Sequence, residues 1–459
     1  MGKINKFLLV FVLSFLSFAL ISCTPPTDIN TGNVTDYNEE GATTITMWCA
    51  DFEEWQNELN AKQRISFNSI TDDGIQLKQE FIEQNDIDDR LRSAREIGST
   101  PDIYMVSIGN LYKEVKNGYA LDISSYITTW DDLTDVAKEA VTYDEKEYAY
   151  PICLEPSTLL FYRKDLLEEY GNTTTVPNNW NDFLDLCATI KTNIKASGTK
   201  GLYTFDVPKG VDCAWGTWGM QMAATAGLAI NDDWSESLLL SSGKTGYTEL
   251  GNLWSSLYTN GYVPLSSGAY NEIINDLCLG KLVMTTAGSW SISEIINSYP
   301  ELADEIGVAT MPTFSGSQDI TTATNGGWVY VISSSCQNVD KAIEVINYLV
   351  SGEDTTRTEE YFLEAYYSKS SPRISVQAKI EASLENQTVV PKEWVEVVNS
   401  VAEKACLEPI YPWDISVAVE GYLEECAMGE SVLSSLTKAD TSIKQIIADE
   451  NTAGTNPRS

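Results

Sequence analysis

The segment Tyr148–Arg163 constrains this chain more than any other. Pro151 and Pro156 lack a backbone donor and push the residues before them away from helix. Apolar and β-favouring residues fill the rest, and Lys164 to Leu167 open a helix. The stretch is too long for one ordinary strand. It reads as two short strands joined by a kink at Cys153–Pro156, one closing a first domain and the other opening a second. Glu155, the single acid between them, is expected to face a ligand at a hinge.

Before that segment, strands and helices alternate. Thr43–Cys49 is a β-branched and aromatic strand, and a helix starts near Glu54. Gly74–Ile82 alternates as a second strand. Asp86–Gly98 keeps Ile87, Leu91, Ala94 and Ile97 on one helical face, with Gly98 placed as a stop. Pro101–Ser107 is a third strand, and the helix after it ends at Asn117–Gly118. This alternation predicts an α/β fold with a mostly parallel sheet covered on both faces. Ligands of such sheets bind beyond the carboxyl ends of the strands, here Trp48–Glu54 and Ser107–Asn110.

A similar grammar restarts after Arg163. Helices are expected at Lys164–Tyr170 and Asp182–Ile194, then a strand at Leu202–Phe205 with the exit loop Asp206–Pro208. A helix of small and aromatic residues covers Cys213–Met222. Further strands follow at Lys281–Thr286, Ile306–Thr310 and Thr324–Ile332. Asn338 is placed to cap the next helix, and the chain stays mostly helical to about Asp449. The tail Asn451–Ser459 is expected to fray.

The first residues bear on location. Lys3 and Lys6 precede an apolar run from Phe7 to Ile21, the pattern of a signal peptide over residues 1–22. Leu20 to Cys23 resembles a bacterial lipobox, which makes Cys23 the expected lipidated residue; an ordinary secretory signal is the alternative. Residues 23–41, rich in Thr, Pro, Asn and Gly, read as a flexible tether. No later run approaches the roughly 20 apolar residues of a spanning helix. The mature chain is therefore expected outside the cytoplasm, anchored to a bacterial membrane through lipid.

Composition excludes several chemistries. The formal net charge is −36, and about −38 once Lys3 and Lys6 leave with the signal. Such a field disfavours nucleic acid and anionic ligands. Histidine is absent, which removes imidazole bases and imidazole metal ligands, and no metal or cofactor is expected. Of the nine cysteines, the eight beyond Cys23 form no Cys-x-x-Cys pair. Most lie in apolar surroundings, as small core residues do. Neither a phosphate-binding Gly-x-x-x-x-Gly-Lys-Ser/Thr loop nor a Gly-x-Gly-x-x-Gly turn occurs.

An ordered set of pieces then resembles the extracellular solute-binding proteins of carbohydrate ABC importers, the maltose-binding-protein-like group. The pieces are Thr44–Trp48, Pro101–Ile103, Gly118–Ile123, Tyr150–Glu155 with Leu160–Leu166, Trp180–Phe183, Gly280–Trp290, Ile306–Pro312 and Gly326–Trp328. The resemblance implies a periplasmic-binding-protein-like fold of two α/β lobes with several crossings between them. It places lobe 1 at 42–152 plus 324–371 and lobe 2 at 153–323 plus 372–459. It implies a non-catalytic, monomeric receptor that closes on a carbohydrate and presents it to ABC transporter permease subunits.

A neutral sugar offers apolar C–H faces that stack on aromatic rings and hydroxyls that bond to carboxylates. By the resemblance, Trp290 and Trp413 stack on ligand and Glu155 binds a hydroxyl. Packing beside the turn is the alternative for Trp290, and a solvated hinge carboxylate for Glu155. Trp328 follows Gly326 and Gly327, which would let a ligand approach the backbone; the alternative is a buried strand residue. Trp215 and Trp218 lie three apart on one helix, as platform or core. Asp51, Glu53 and Asp206 stand at strand exits. Asn110 stands where the group has a charged cluster, which makes the same sugar specificity doubtful. Arg373 either donates to a hydroxyl or pairs with a nearby acid. Two other classes stay open on sequence: a glycosidase built on a carboxylate pair, and a surface adhesin or sensory receptor without a transporter. A neighbouring permease gene would separate the last from an importer.

Overall fold

The computed structural model describes residues 41–70, 74–208, 214–225, 227–266, 273–317 and 319–458. The leader, Cys23, the tether and Cys213 lie outside them. No helix among the described residues is long and apolar enough to cross a membrane.

Among the described residues eleven strands form: β1 Thr43–Asp51, β2 Ile75–Glu83, β3 Ile103–Ser107, β4 Thr142–Tyr143, β5 Lys146–Glu147, β6 Tyr150–Pro156, β7 Leu159–Arg163, β8 Tyr203–Asp206, β9 Leu282–Ala287, β10 Ile306–Ala309 and β11 Asn325–Ile332. β4 and β5 make a short hairpin, and the rest form two sheets. The first has the order β2-β1-β3-β11-β6 and the second β10-β7-β9-β8. Each is flanked by helices and forms the core of one lobe of a two-lobed α/β fold.

The pairing directions follow from how the chain crosses. In the first sheet β11 alone runs against its neighbours, being antiparallel to both β3 and β6. In the second β7 alone does so, against β10 and β9. These two strands arrive from the opposite lobe. They enter at the edge where the parallel strands end, so they must run the other way. The carboxyl ends of β1, β3 and β6 therefore share one edge with the start of β11. The ends of β8, β9 and β10 share theirs with the start of β7. Those two edges meet across the junction, where a ligand of open α/β sheets is expected.

The two strands expected within Tyr148–Arg163 are present, but the break falls later. β6 continues through Pro156 in the first sheet, and Ser157–Thr158 make the turn to the second. Cys153 to Pro156 stay extended because β11 pairs along them, from Trp328 opposite Cys153 to Asn325 opposite Pro156. The first crossing thus lies beyond residue 153. Two other links run beside it. Ser370 exchanges backbone bonds with Leu154, at 2.9 and 2.8 Å. Leu407 bridges Asn325 in parallel.

Alternation of side chains along strands sorts the cores. The first lobe has one core, with Ile45, Met47, Val106, Tyr150 and Val331. The second sheet is covered on both faces: Leu160 and Phe205 join Phe183, Trp254 and Tyr422 on one side, and Leu159 and Phe161 join Ile292 and Trp394 on the other. Local signals set the helix ends. Ser107 caps the helix Ile108–Lys116 by accepting from the Asn110 amide, and Asn179 caps Trp180–Ser197 by accepting from that of Asp182. Asn338 precedes the helix Val339–Ile346 as expected, but its side chain makes no cap bond. The seven described cysteines are free thiols, five of them buried.

The tail is not frayed. Residues 452–458 hydrogen-bond to both lobes, through Trp234, Asp233 and Asp232 on one and Tyr112 and Tyr143 on the other.

Candidate functional site

The lobe junction gathers carboxylates from three different links. Glu155, at the end of β6, is 7% exposed. One of its oxygens accepts from Trp328 Nε1 at 3.2 Å, and the other pairs with Lys369 Nζ. Lys369, itself 8% exposed, comes from the link that borders β6. Burial opposes the lysine's charge most strongly, but the charge and hydrogen bond of Glu155 together with Cys153 and Glu53 outweigh it and raise its pKa. A buried pair held this way costs much to break and contributes less to net stability.

Glu53, just beyond β1, crosses the cleft. Its oxygens accept from Ser293 Oγ at 2.8 and 3.1 Å, and Ser293 lies on the second-lobe helix Ser291–Ser298. Burial pushes the Glu53 carboxyl up, against the pull of Lys369 and the Ser293 hydroxyl.

Glu408, 2% exposed, is the third. Its oxygens accept from the Gly109 amide of the first lobe and from Trp215 Nε1 of the second, both at 3.0 Å. Burial pushes its carboxyl up to about 7, and those two neutral donors pull against it. Arg458 reaches the Glu408 backbone carbonyl, at 3.5 Å, rather than the carboxylate.

The aromatic rings form two groups. Phe52 stands edge-on to Trp328, with ring centres 4.5 Å apart, on the Glu155 side. Trp215, Trp218 and Trp413 cluster in the second lobe, with centres 5.5 to 6.1 Å apart. Trp413 is 39% exposed and presents open ring surface, whereas Trp218 is 3% exposed and donates to Ser416 Oγ. Trp290 folds back over Gly288, where an added Cβ would lie 2.1 Å from its ring. The Gly-Ser turn thus seats that indole, and the Trp290 carbonyl, 2.7 Å from Ser293 Oγ, competes with Glu53 for its single hydrogen.

Other expected residues stand elsewhere or are differently engaged. Arg373 is 3% exposed, and its guanidinium donates to Asp132 (2.7 Å) and to the Val350 and Gly352 carbonyls. Of its two readings, the acid pair is the one the structure contains. Asp206 is 1% exposed, with a carboxylate oxygen accepting from the Val207 amide. Asp51 accepts from Asn57 Nδ2 within its own lobe. Asn110 is exposed in the first turn of the helix after β3, next to Gly109. Of the glycines before Trp328, Gly327 admits protein rather than ligand, while Gly326 has ordinary packing room beside Glu408. A Cβ on Gly327, which has φ +141°, would lie 2.1 Å from the Cys153 carbonyl, and one on Gly326 3.6 Å from the Glu408 carboxylate.

Lys369, Ser293, Phe52 and Glu408 were not anticipated. Lys369 sits in a polar Ser-Lys-Ser run that carries no signal of its own. Glu408 did have one: the four residues Cys153–Pro156 recur as Cys406–Pro409. Both copies border the start of β11, the first antiparallel and the second parallel. In each, the glutamate accepts from a tryptophan indole.

Solved structures share this architecture. An ABC transporter solute-binding protein from Thermotoga lettingae, bound with alpha-D-tagatose, superposes with a TM-score of 0.73 at 20% identity, over 88% of this chain and 100% of that one. The GacH receptor of Streptomyces glaucescens, solved unliganded and with acarbose, gives 0.72 at 16% identity over 90% and 99%. The sugar-binding protein MalE from Xanthomonas citri gives 0.68 at 19% identity over 89% and 98%. At these identities the likeness shows the fold. The family description that matches residues 65–363 is that of a bacterial extracellular solute-binding protein. The chain belongs to that family of extracellular solute-binding proteins, whose members bind a solute and do not transform it.

Proposed function

We propose that this protein captures a sugar or oligosaccharide between its lobes and delivers it to the permease of an ABC transporter. The observation that carries the reading is the pairing of surfaces at the junction. Glu53 and Glu155 offer carboxylates from the first lobe, and Trp290 and Trp413 offer indole rings from the second. Carboxylates suit hydroxyls and indole faces suit the C–H faces of a sugar ring. The sugars named for the structurally similar proteins support the same class. Glu155, Trp290, Trp328 and Trp413 are the residues assigned to the ligand. Glu53 joins them, and Asp51, Asn110, Trp215 and Trp218 line the approaches. Asp206 and Arg373 act in the framework. The proposed division is lobe 1 at 42–152 plus 324–371 and lobe 2 at 153–323 plus 372–459, with the first crossing taken at Ser157–Thr158 and with Arg373 and Val376 packed on the first lobe. The chain acts as a monomer, held outside the cell by lipid on Cys23.

Thermal-shift screening of the mature protein against a panel of sugars, with product analysis, tests the reading. A bound sugar raises the melting temperature with concentration and is recovered unchanged. Stabilisation by peptides or polyamines and by no sugar would overturn the carbohydrate assignment. Loss of membrane association in Cys23→Ser tests the anchor, and co-purification with a neighbouring permease tests the transporter.

A further inference from the structure

The segment beyond the last helix spans the lobes. Asn451 ends the helix Val432–Glu450 in the left-handed conformation, with φ 55°. The chain then runs along a loop of the second lobe. Thr452 Oγ1 donates to the Trp234 carbonyl at 3.0 Å, the Gly454 amide to the Asp233 carbonyl at 2.7 Å, and Asn456 Nδ2 to the Asp232 carbonyl at 2.5 Å. The same segment reaches the first lobe. The Thr455 carbonyl accepts from the Tyr112 hydroxyl at 3.2 Å. Arg458 lies 5.8 Å from the centre of the Tyr143 ring, with Nη2 3.4 Å from its hydroxyl.

Tyr112 is held from a second side. Trp234 stands edge-on to it, with ring centres 6.0 Å apart. Trp234 adopts φ +59°, which a bulky residue rarely takes. Its carbonyl is the acceptor for Thr452, so the tail contact stabilises the conformation that aims this ring across the junction.

We infer that Thr452–Arg458 is a strap that favours the closed arrangement of the lobes. The arrangement it spans is the one in which Glu53 meets Ser293 and Glu408 joins Gly109 to Trp215. Its anchors belong to two separate cores, Trp234 to one and Tyr143 to the other. Parting the lobes must break the bonds to Tyr112 and Tyr143 or pull the loop at Asp232–Trp234 away. Each bond is individually modest, so the strap biases an equilibrium and does not lock it. Contact of Arg458 with the Glu408 carbonyl links the strap to the cleft wall.

The test uses the ligand-free mature protein. Three variants are compared with wild type: a chain ending at Asn451, Arg458→Ala, and Tyr112→Phe, which removes only the hydroxyl. Small-angle scattering reads the radius of gyration, and hydrogen exchange reads the Gly109 amide that Glu408 holds. The expected result is a larger radius for the shortened chain and about ten-fold faster Gly109 exchange, a shift of the closed population. The two point variants move exchange the same way by a smaller factor. A wild-type radius and wild-type Gly109 exchange in the shortened chain would overturn the inference. If the shortened chain does not fold, the full-length variants decide: faster Gly109 exchange supports the strap, and unchanged exchange in both refutes it.

Discussion

Two copies of one tetrapeptide, Cys153–Pro156 and Cys406–Pro409, lie on either side of the start of β11. Both place a buried glutamate at the lobe junction, and both glutamates accept from a tryptophan indole. There the likeness stops. Glu155 faces Lys369, a cation brought in by a separate link. Glu408 faces an amide of one lobe and an indole of the other; Arg458 pulls on it only through its field, no cation among the described residues forms an ion pair with its carboxylate, and burial raises its carboxyl to about 7. The difference teaches that local sequence can deliver a carboxylate to a cleft without deciding its charge. The segments packed against it decide that, because desolvation and a neighbouring cation act in opposite directions.

The comparison can be broken most forcefully at Lys369. Lys369→Met leaves Glu155 buried without its cation. Chemical denaturation at pH 7 should show a loss of about 3–5 kcal/mol, the scale for removing one partner of a buried pair. A loss below about 1 kcal/mol would mean that the two glutamates are electrostatically alike.

The next effect depends on pH. The Glu408 carboxyl lies at about 7 in the folded protein against an ordinary value of 4.5. Between those values the folded state holds a proton that the unfolded chain has released. The contribution of Glu408 to stability is therefore full below pH 4.5 and declines as pH rises towards 7. Glu408→Gln removes the titration, so denaturation series across that range should show a shallower decline, by about 2–3 kcal/mol in total. Identical slopes in wild type and variant would refute the raised pKa. Glu155→Gln should instead destabilise, since it strands Lys369.

Ligand binding gives a smaller effect and asks whether the two sides of the cleft contribute alike. Trp290→Ala, Trp413→Ala and Glu155→Ala should each weaken binding of the sugar found by screening by at least about 1 kcal/mol, one stacking contact or one charge-assisted bond. Isothermal titration measures this. Unchanged affinity in all three would move the site away from this junction. The smallest effect is expected for Ser293→Ala, which deletes the bond from the second lobe to Glu53. It should cost about 0.5–1.5 kcal/mol of closure, seen as weaker ligand affinity with unchanged unfolding of the separate cores.

Much of the fold was legible because it is written locally. β-branched runs, the glycine stop at Gly98, and the proline-broken stretch at Tyr148–Arg163 each act over a few residues, whereas the cap expected of Asn338 makes no side-chain bond. The break inside that stretch was placed too early because prolines alone suggested it. Pairing with β11, a strand more than a hundred residues away, holds Cys153–Pro156 extended to its end. Site residues divided in the same way. The place of Glu155 at the lobe junction was legible from its setting between two strands. Lys369 was not, since a lone lysine in a polar run looks like any surface charge. Arg373, four residues after Lys369, serves Asp132 and two carbonyls. The tail's polar composition matches that of a free end, yet it is held by bonds to carbonyls of a distant loop, which composition does not reveal.

The sequence by itself determined two α/β units, the alternation that builds their sheets, and the segment that joins them. It also determined that any ligand chemistry must work without histidine. Only the tertiary structure decided which strand in each sheet runs backwards, which cation meets Glu155, and that Glu408 stands opposite with neutral donors. The reason is physical. Strand and helix signals arise from steric and hydrogen-bonding preferances within a few residues, whereas burial, charge pairing and crossing order depend on segments hundreds of residues apart meeting at one place.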